Sequence, residues 1–244
     1  MSPRPPAPVP PPIAATVLAA GLGRRLGNRP KATLEIGGRS ILARLAAALR
    51  EAGIEDISVV VGPYREALLP LAAACGLRVV AHPQPDTRLI DSQRLALAAH
   101  VAGAGHDAGA NDGPRHAGAD LLLVVADLPL LAAAHVAPVL QAWRQRPAGI
   151  EAMMPLVGGV RGHPVLLSWQ AVRRIVTTPR DLGIRDWLAA HPAAVEPFPA
   201  TDPAYITDVD TPADVDRLRT LLHPTTVAWP APLHAAEAPQ TAGR

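Results

Sequence analysis

The chain holds little of what several common chemistries require. Cys75 is its only cysteine, so an internal disulfide is excluded, and a small buried thiol near a helix end is the expectation for it, with a nucleophile as the alternative. Neither CxxC nor HExxH occurs, which leaves a structural zinc site without support. No basic run exceeds the pair Arg24–Arg25 and the net charge is only +2, so a nucleic-acid surface is not indicated. The first twelve residues contain seven prolines, unlike a secretory leader. The apolar run that follows stops at Gly21, far short of a membrane span, so the expectation is a soluble cytoplasmic protein.

Lysine is the most telling scarcity. Of the 23 strongly basic residues, only Lys31 is a lysine, so arginine serves almost wherever positive charge is needed. A compact, flexible ammonium differs from a planar guanidinium fork in what it can reach. Lys31 follows Gly21, Gly23 and Gly27 in a loop leaving an apolar run. Glycines let backbone amides approach and converge on phosphate oxygens, and Arg25 and Lys31 add the fixed charge that a nucleoside triphosphate requires. The same GxGxxxG spacing permits a dinucleotide-binding turn. Against that, the second apolar run ends Val-Gly-Pro-Tyr, without the acidic residue that holds a ribose.

At 244 residues the chain has length for one α/β domain. The runs Ile13–Leu18, Ile57–Val61, Leu77–Ala81 and Asp120–Ala126 are continuous and apolar, and predict buried strands. Helical spacing covers Ser40–Ala52, Tyr64–Ala74 and Asp91–Val101. A helix over Leu131–Gln145, a strand over Ile150–Pro155, a strand from His163, helices near Trp169–Val176 and Ile184–Ala190, and a final strand–turn–helix follow. Alternation of this kind predicts a three-layer α/β/α sandwich with a mostly parallel, Rossmann-like sheet. The domain is expected over residues 13–222, between disordered tails at 1–12 and 223–244. The glycine-rich stretch 103–118, with His106 and His116, reads as a surface loop whose histidines are solvated.

Three further sites carry chemistry. Asp127 ends a strand of apolar residues, where open α/β sheets bind ligands, and suits Mg²⁺ held against a polyphosphate; a turn or cap for the next segment is the other reading. In Ile-Thr-Asp-Val-Asp-Thr-Pro-Ala-Asp, capping accounts for Thr211, Pro212 and Asp214. Capping leaves Asp208 and Asp210 unexplained; they alternate along the expected strand, and Asp210 is the candidate second metal carboxylate. His163, between Gly162 and Pro164, is expected on an exposed segment as a base, a substrate-positioning group or an ordinary loop histidine.

Ala19–Gly27 with Lys31, Ala-Asp-Leu-Pro around Asp127, Arg161–Ser168, Gly183–Leu188 and Asp208–Asp214 together resemble the MobA-like nucleotidyltransferases that attach a nucleotide to molybdopterin. The similarity is nearest to the molybdenum cofactor cytidylyltransferases, then to the GTP-using guanylyltransferases, and spans about Ile13 to Leu222. It implies a nucleotide-diphospho-sugar transferase-like fold, Mg²⁺, CTP or another NTP, a molybdopterin or other phosphorylated acceptor, and hand-over to a molybdoenzyme or its maturation factor. It implies nucleotide contacts at Leu18, Ala19, Ala20, Gly21, Gly23, Arg25, Lys31 and Ser92, with Lys31, Arg25 and Asp127 catalytic. Asp127 and Asp210 would bind metal, and His163, Gly162 and Asp208 the acceptor. Arg88 and Asp91 depart from the family pattern, standing where a glycine and a small hydroxyl residue are usual. A sugar 1-phosphate acceptor, a non-catalytic nucleotide-binding module and an NADP-type reductase are the alternatives.

Overall fold

The computed structural model describes residues 11–84, 86–103 and 118–230. Most of the proline-rich head and of the glycine-rich stretch, His106 and His116 included, lies outside them, as does 231–244. Along the chain run β1 (Ile13–Ala19), β2 (Glu35–Ile36), β3 (Arg39–Ser40), α1 (Ile41–Glu51), β4 (Ile57–Val61) and α2 (Arg65–Ala74). Then come β5 (Arg78–Ala81), α3 (Leu89–Gly103), β6 (Asp120–Val125), α4 (Ala133–Arg144), β7 (Ala152–Val157), β8 (Val160–Arg161) and β9 (Val165–Leu167). The chain continues through α5 (Trp169–Thr177), α6 (Ile184–Ala190), β10 (Val195–Ala200), α7 (Pro212–Leu222) and β11 (Val227–Ala228).

The main sheet has the order β10-β7-β9-β6-β1-β4-β5, with β8 paired to β7. β1 is parallel to both β4 and β6, and only β9, running against β6 and β7, reverses direction along that path. Two cores sandwich it. Ala15, Val17 and Ala19 of β1 face one core with Leu42, Leu45 and Leu49 of α1 and Val139 and Trp143 of α4. Leu18 faces the other, with Leu97 of α3, Val172 of α5 and Trp187 of α6. Period-two alternation inside a run that is apolar except for Thr16, whose hydroxyl is paired with that of Ser58 at 2.8 Å, thus feeds both faces. The expected three-layer, mostly parallel architecture is what the chain adopts.

Local chemistry accounts for the element ends. Ser40 caps α1 by accepting from the Ala43 amide at 3.2 Å, and Ser168 caps α5 by accepting from the Ala171 amide at 3.0 Å. At α7, Thr211 and Asp214 form the expected capping box, with the Thr211 amide donating to Asp214 Oδ2 at 2.6 Å.

Four expectations need correction. β5 is an edge strand with Arg78, Val79 and Ala81 exposed, because its outer side lacks a neighbour among the described residues. Residues 206–210 are irregular: a short 3-10 turn at Pro203–Tyr205 precedes them, so Asp208 and Asp210 do not alternate on a strand. The tail drawn from residue 223 packs instead, since β11 pairs antiparallel with β2 and Val227 is buried. β10 was not anticipated; Pro197 and Pro199 argue against a strand, yet β10 pairs on one side only, at a sheet edge, where missing N–H groups are tolerated. No helix among the described residues is long and apolar enough to cross a membrane.

Candidate functional site

The site forms where β1 and β6 end side by side. Their parallel register sets Leu18 opposite Val125, and the Ala126 amide donates to the Leu18 carbonyl at 3.0 Å. The loop after β1 and Asp127 therefore leave the sheet at the same carboxyl-terminal edge, where open α/β sheets take ligands. The third component arrives from about 80 residues downstream through the Val209 amide, which donates to the Asp127 carbonyl at 3.0 Å. That bond draws Asp208 and Asp210 to the same edge.

Lys31 completes the convergence. It opens a 3-10 turn over Lys31–Thr33 anchored by buried Ala32 and Leu34. Its Nζ donates to Asp127 Oδ2 at 2.9 Å and also contacts Asp210 Oδ1. The side chains of Lys31 and Asp127 are 17% and 21% exposed, so this pair is shielded more than a surface ion pair is. Burial alone would lower the Lys31 pKa, but the two carboxylates outweigh it and hold the ammonium above its ordinary value. Arg25 is exposed, with its guanidinium 3.6 Å from Asp210 Oδ2. Asp127 Oδ1 is buried and has no hydrogen-bond partner among the described residues. Leu18, Ala19, Gly21, Lys31 and Asp127 line one small cavity.

The loop itself is shaped by glycine at one position and left open at another. Gly23 has φ +55°, and a Cβ there would stand 2.0 Å from the Arg29 carbonyl oxygen, so no other residue fits. A Cβ on Gly21 would meet nothing within 4 Å. Packing therefore does not demand glycine at 21; the open space in front of it suits a closely approaching ligand. Behind the loop, the Tyr64 hydroxyl donates to the Leu22 carbonyl at 2.6 Å and the Thr87 hydroxyl to the Ala20 carbonyl at 2.5 Å.

The remaining expected residues divide. Asp208 is pushed above the usual carboxylate range, first by partial burial and then by Asp210 and Asp127. His163 is not exposed as expected. Its backbone amide donates to the Tyr205 carbonyl at 2.9 Å, its Nδ1 is shut off from solvent, and burial lowers its pKa despite a hydrogen bond to the Leu123 backbone and the nearby Asp127. Burial thus favours the uncharged form of the ring. Gly162 is required by packing, since a Cβ would lie 2.5 Å from the Tyr205 carbonyl oxygen. Ser92 is buried and its hydroxyl donates to the carbonyl of Arg88, just ahead of α3, at 3.3 Å. The hydroxyl that does touch the loop is that of Thr87, five positions earlier. Arg88 and Asp91, which break the family pattern, neutralise each other in a two-bond pair at 2.8 and 2.9 Å. Tyr64 and Thr87 were missed because contacts across 42 and 67 residues leave no local pattern.

The MobA-like NTP transferase domain model matches residues 15–195. The chain belongs to that family. One relative, the CMP-5'-(3-aminopropyl)phosphonate synthase of Streptomyces rubellomurinus, is 42% identical over 94 residues, covering 35% of this chain and 15% of that protein. The chain thus spans well under a third of that relative's length. The nicotine blue oxidoreductase of Paenarthrobacter nicotinovorans is 27% identical over 211 residues, covering 84% of this chain and 96% of that protein. Among solved structures, Rv0371c from Mycobacterium tuberculosis H37Rv superposes with a TM-score of 0.67 at 24% identity, over 86% of this chain and 98% of its own. The same protein has been solved in complex with manganese, with a TM-score of 0.62, 24% identity and coverage of 85% and 97%. These likenesses in structure establish the shared fold.

A divalent cation fits the donor set. Asp127 and Asp210 supply hard carboxylate oxygens on one ammonium, and Asp127 Oδ1 has no hydrogen-bond partner among the described residues. Among the described residues no group of three or more His, Cys, Asp or Glu gathers as a ligand set. Two protein carboxylates, completed by phosphate oxygens and water, match the way Mg²⁺ is bound at nucleotide sites.

Proposed function

We propose that the protein is a divalent-metal-dependent nucleotidyltransferase that transfers CMP from CTP to a phosphorylated acceptor, molybdopterin, with release of pyrophosphate. The observation that carries the reading is the meeting of Lys31, Asp127 and Asp210 beside the Gly21–Gly23 loop, from three distant parts of the chain. Membership of the MobA-like family supports the reaction class, and the name of the phosphonate synthase, a CMP conjugate, supports cytidine and an acidic phosphorus oxyanion as acceptor.

In this reading an acceptor phosphate oxygen attacks the α-phosphorus of CTP. The new P–O bond forms as the α–β anhydride bond breaks, and its electron pair leaves on pyrophosphate. The protein's work is alignment and neutralisation of charge. Loop amides at Gly21 and Gly23, with Arg25, hold the β- and γ-phosphates. Lys31 turns from its carboxylates toward the α-phosphate, where charge accumulates. Asp127 and Asp210 would hold Mg²⁺, which when bound would supply Lewis-acid stabilisation of phosphate oxygens. Asp208, Gly162 and His163 flank the acceptor; because burial favours the uncharged His163 ring, it offers shape and hydrogen bonding rather than fixed charge. Asp127→Ala is expected to cut turnover by about 10²-fold or more while the chain stays folded. Pyrophosphate release from CTP over an acceptor panel measures it, and unchanged turnover in that variant rules out the metal assignment.

One observation favours a second reading. The relative aligned over 84% of the chain is named an oxidoreductase, and the GxGxxxG turn permits a dinucleotide. NADPH binding independent of any metal, with no metal-dependent CTP binding, would establish that reading in place of the first.

A further inference from the structure

The loop between β1 and Lys31 is gripped from behind by two hydroxyls that come from other parts of the fold. Tyr64 is the residue on which α2 begins, and its hydroxyl donates to the Leu22 carbonyl at 2.6 Å. Thr87 lies between β5 and α3, and its hydroxyl donates to the Ala20 carbonyl at 2.5 Å. Both acceptors are carbonyl oxygens, so the direction of each bond is settled. Gly62 lets the end of β4 pass directly beneath: a Cβ there would stand 2.8 Å from the Ala20 oxygen.

A trans peptide is planar, with the carbonyl of one residue and the amide of the next pointing in opposite directions. Fixing the Ala20 carbonyl toward Thr87 therefore turns the Gly21 amide away from Thr87. Fixing the Leu22 carbonyl toward Tyr64 likewise turns the Gly23 amide away from Tyr64. Gly21 lines the cavity shared with Lys31 and Asp127, on the side of the loop open to a ligand. Without the two hydroxyls, either peptide plane could rotate and present an oxygen to an incoming phosphate, a repulsive contact in place of an attractive one. Gly21, with no Cβ, would offer little resistance to that rotation.

We propose that Tyr64 and Thr87 are positioning residues: their hydroxyls pin the Ala20 and Leu22 carbonyls behind the loop so that the Gly21 and Gly23 amides face the triphosphate. This rests on the nucleotidyltransferase reading above. It assigns to two side chains outside the loop a share of the affinity for the polyphosphate, and none for the nucleoside.

The test uses the full chain, with inorganic tripolyphosphate and cytidine as separate calorimetric probes in the presence of Mg²⁺. Tyr64→Phe and Thr87→Val remove one hydroxyl each, while Thr87→Ser keeps the donor and loses only a methyl group. Each hydroxyl removal is expected to weaken tripolyphosphate about fivefold, the factor given by one net hydrogen bond. Thr87→Ser should return to within about twofold of the parent, cytidine affinity should not move, and the KM for CTP should rise with the tripolyphosphate Kd. Thermal midpoints check folding, and if Thr87→Val does not fold, Thr87→Ala and Tyr64→Phe carry the comparison. Parental tripolyphosphate affinity in the folded hydroxyl-less variants overturns the positioning role while leaving the nucleotidyltransferase reading intact. A Thr87→Ser variant as weak as Thr87→Val overturns it too, because packing rather than the hydroxyl would then be responsible. Failure of the unaltered chain to bind either tripolyphosphate or CTP defeats the nucleotidyltransferase reading itself.

Discussion

Replacing Lys31 with methionine removes the one cation that Asp127 and Asp210 share. At 2.9 Å and an effective dielectric constant of about 20, one such contact carries a gross attraction of roughly 6 kcal/mol. Most of that is returned as desolvation. Surface pairs net about 0–1 kcal/mol, and breaking a buried pair costs about 3–5. With side chains 17% and 21% exposed, Lys31 and Asp127 fall between these limits, so a loss of about 2 kcal/mol is expected. For a domain of this size that lowers the melting temperature by roughly 4–8 °C. Methionine keeps the unbranched apolar stem, so the loss reports charge rather than a cavity. Asp127 then loses its ion-pair partner and Asp210 keeps only the exposed Arg25, so millimolar Mn²⁺ or Mg²⁺ should restore more stability to Lys31→Met than it adds to the parent chain. Calorimetric melting with and without metal measures both effects. A variant that melts with the parent and gains nothing extra from divalent ions would refute the electrostatic account of the site.

The same geometry fixes the outcome of other perturbations. Asp208 has a raised folded-state pKa, so its ionised form costs stability above that pKa, and the cost disappears as pH falls through it. Asp208→Asn should therefore be more stable than the parent at pH 7, with the advantage shrinking toward pH 4; urea unfolding across that range checks it. Lys31 has the opposite linkage: its raised pKa gives stability that is fully present below its ordinary value of 10.5 and is lost only as pH rises through the higher folded value. Gly21→Ala should melt within about 1 kcal/mol of the parent yet weaken CTP binding, since its Cβ meets protein nowhere and would intrude only on a ligand. Gly23→Ala should lose about 1–3 kcal/mol of stability as well, from a strained φ and a backbone collision.

What could be read from the residues alone was what short-range physics controls. Mainly apolar runs at 13–18, 57–61 and 120–126 predict buried strands because both faces of a central parallel sheet are covered. Ser40 and the Thr211–Asp214 box announce helix starts because capping acts within three residues. Where distant neighbours decide, local pattern carries no signal. Val79 is as apolar as Val59, yet β5 ends the sheet and leaves it exposed. Pro197 and Pro199 conceal a strand that only an edge position permits. Val227 gains its burial from β2, which lies near the opposite end of the chain. Ser92 and Thr87 are both small hydroxyl residues near the start of α3, and only packing tells which one reaches the loop.

The candidate site divides along the same line. A solitary lysine among 22 arginines, glycines ahead of it, and an aspartate ending an apolar strand mark Lys31 and Asp127 in the sequence itself, because each depends on its own immediate surroundings. That the ammonium lies between the carboxylates of residues 127 and 210 was decided by the Val209–Asp127 backbone bond and the β1–β6 register, which close chain separations of 96 and 179 residues. Shielding of the His163 Nδ1 and the grip of Tyr64 and Thr87 on the loop were decided the same way. Identity of a side chain sets what it can donate or accept; only the folded backbone sets what stands within about 3 Å of it.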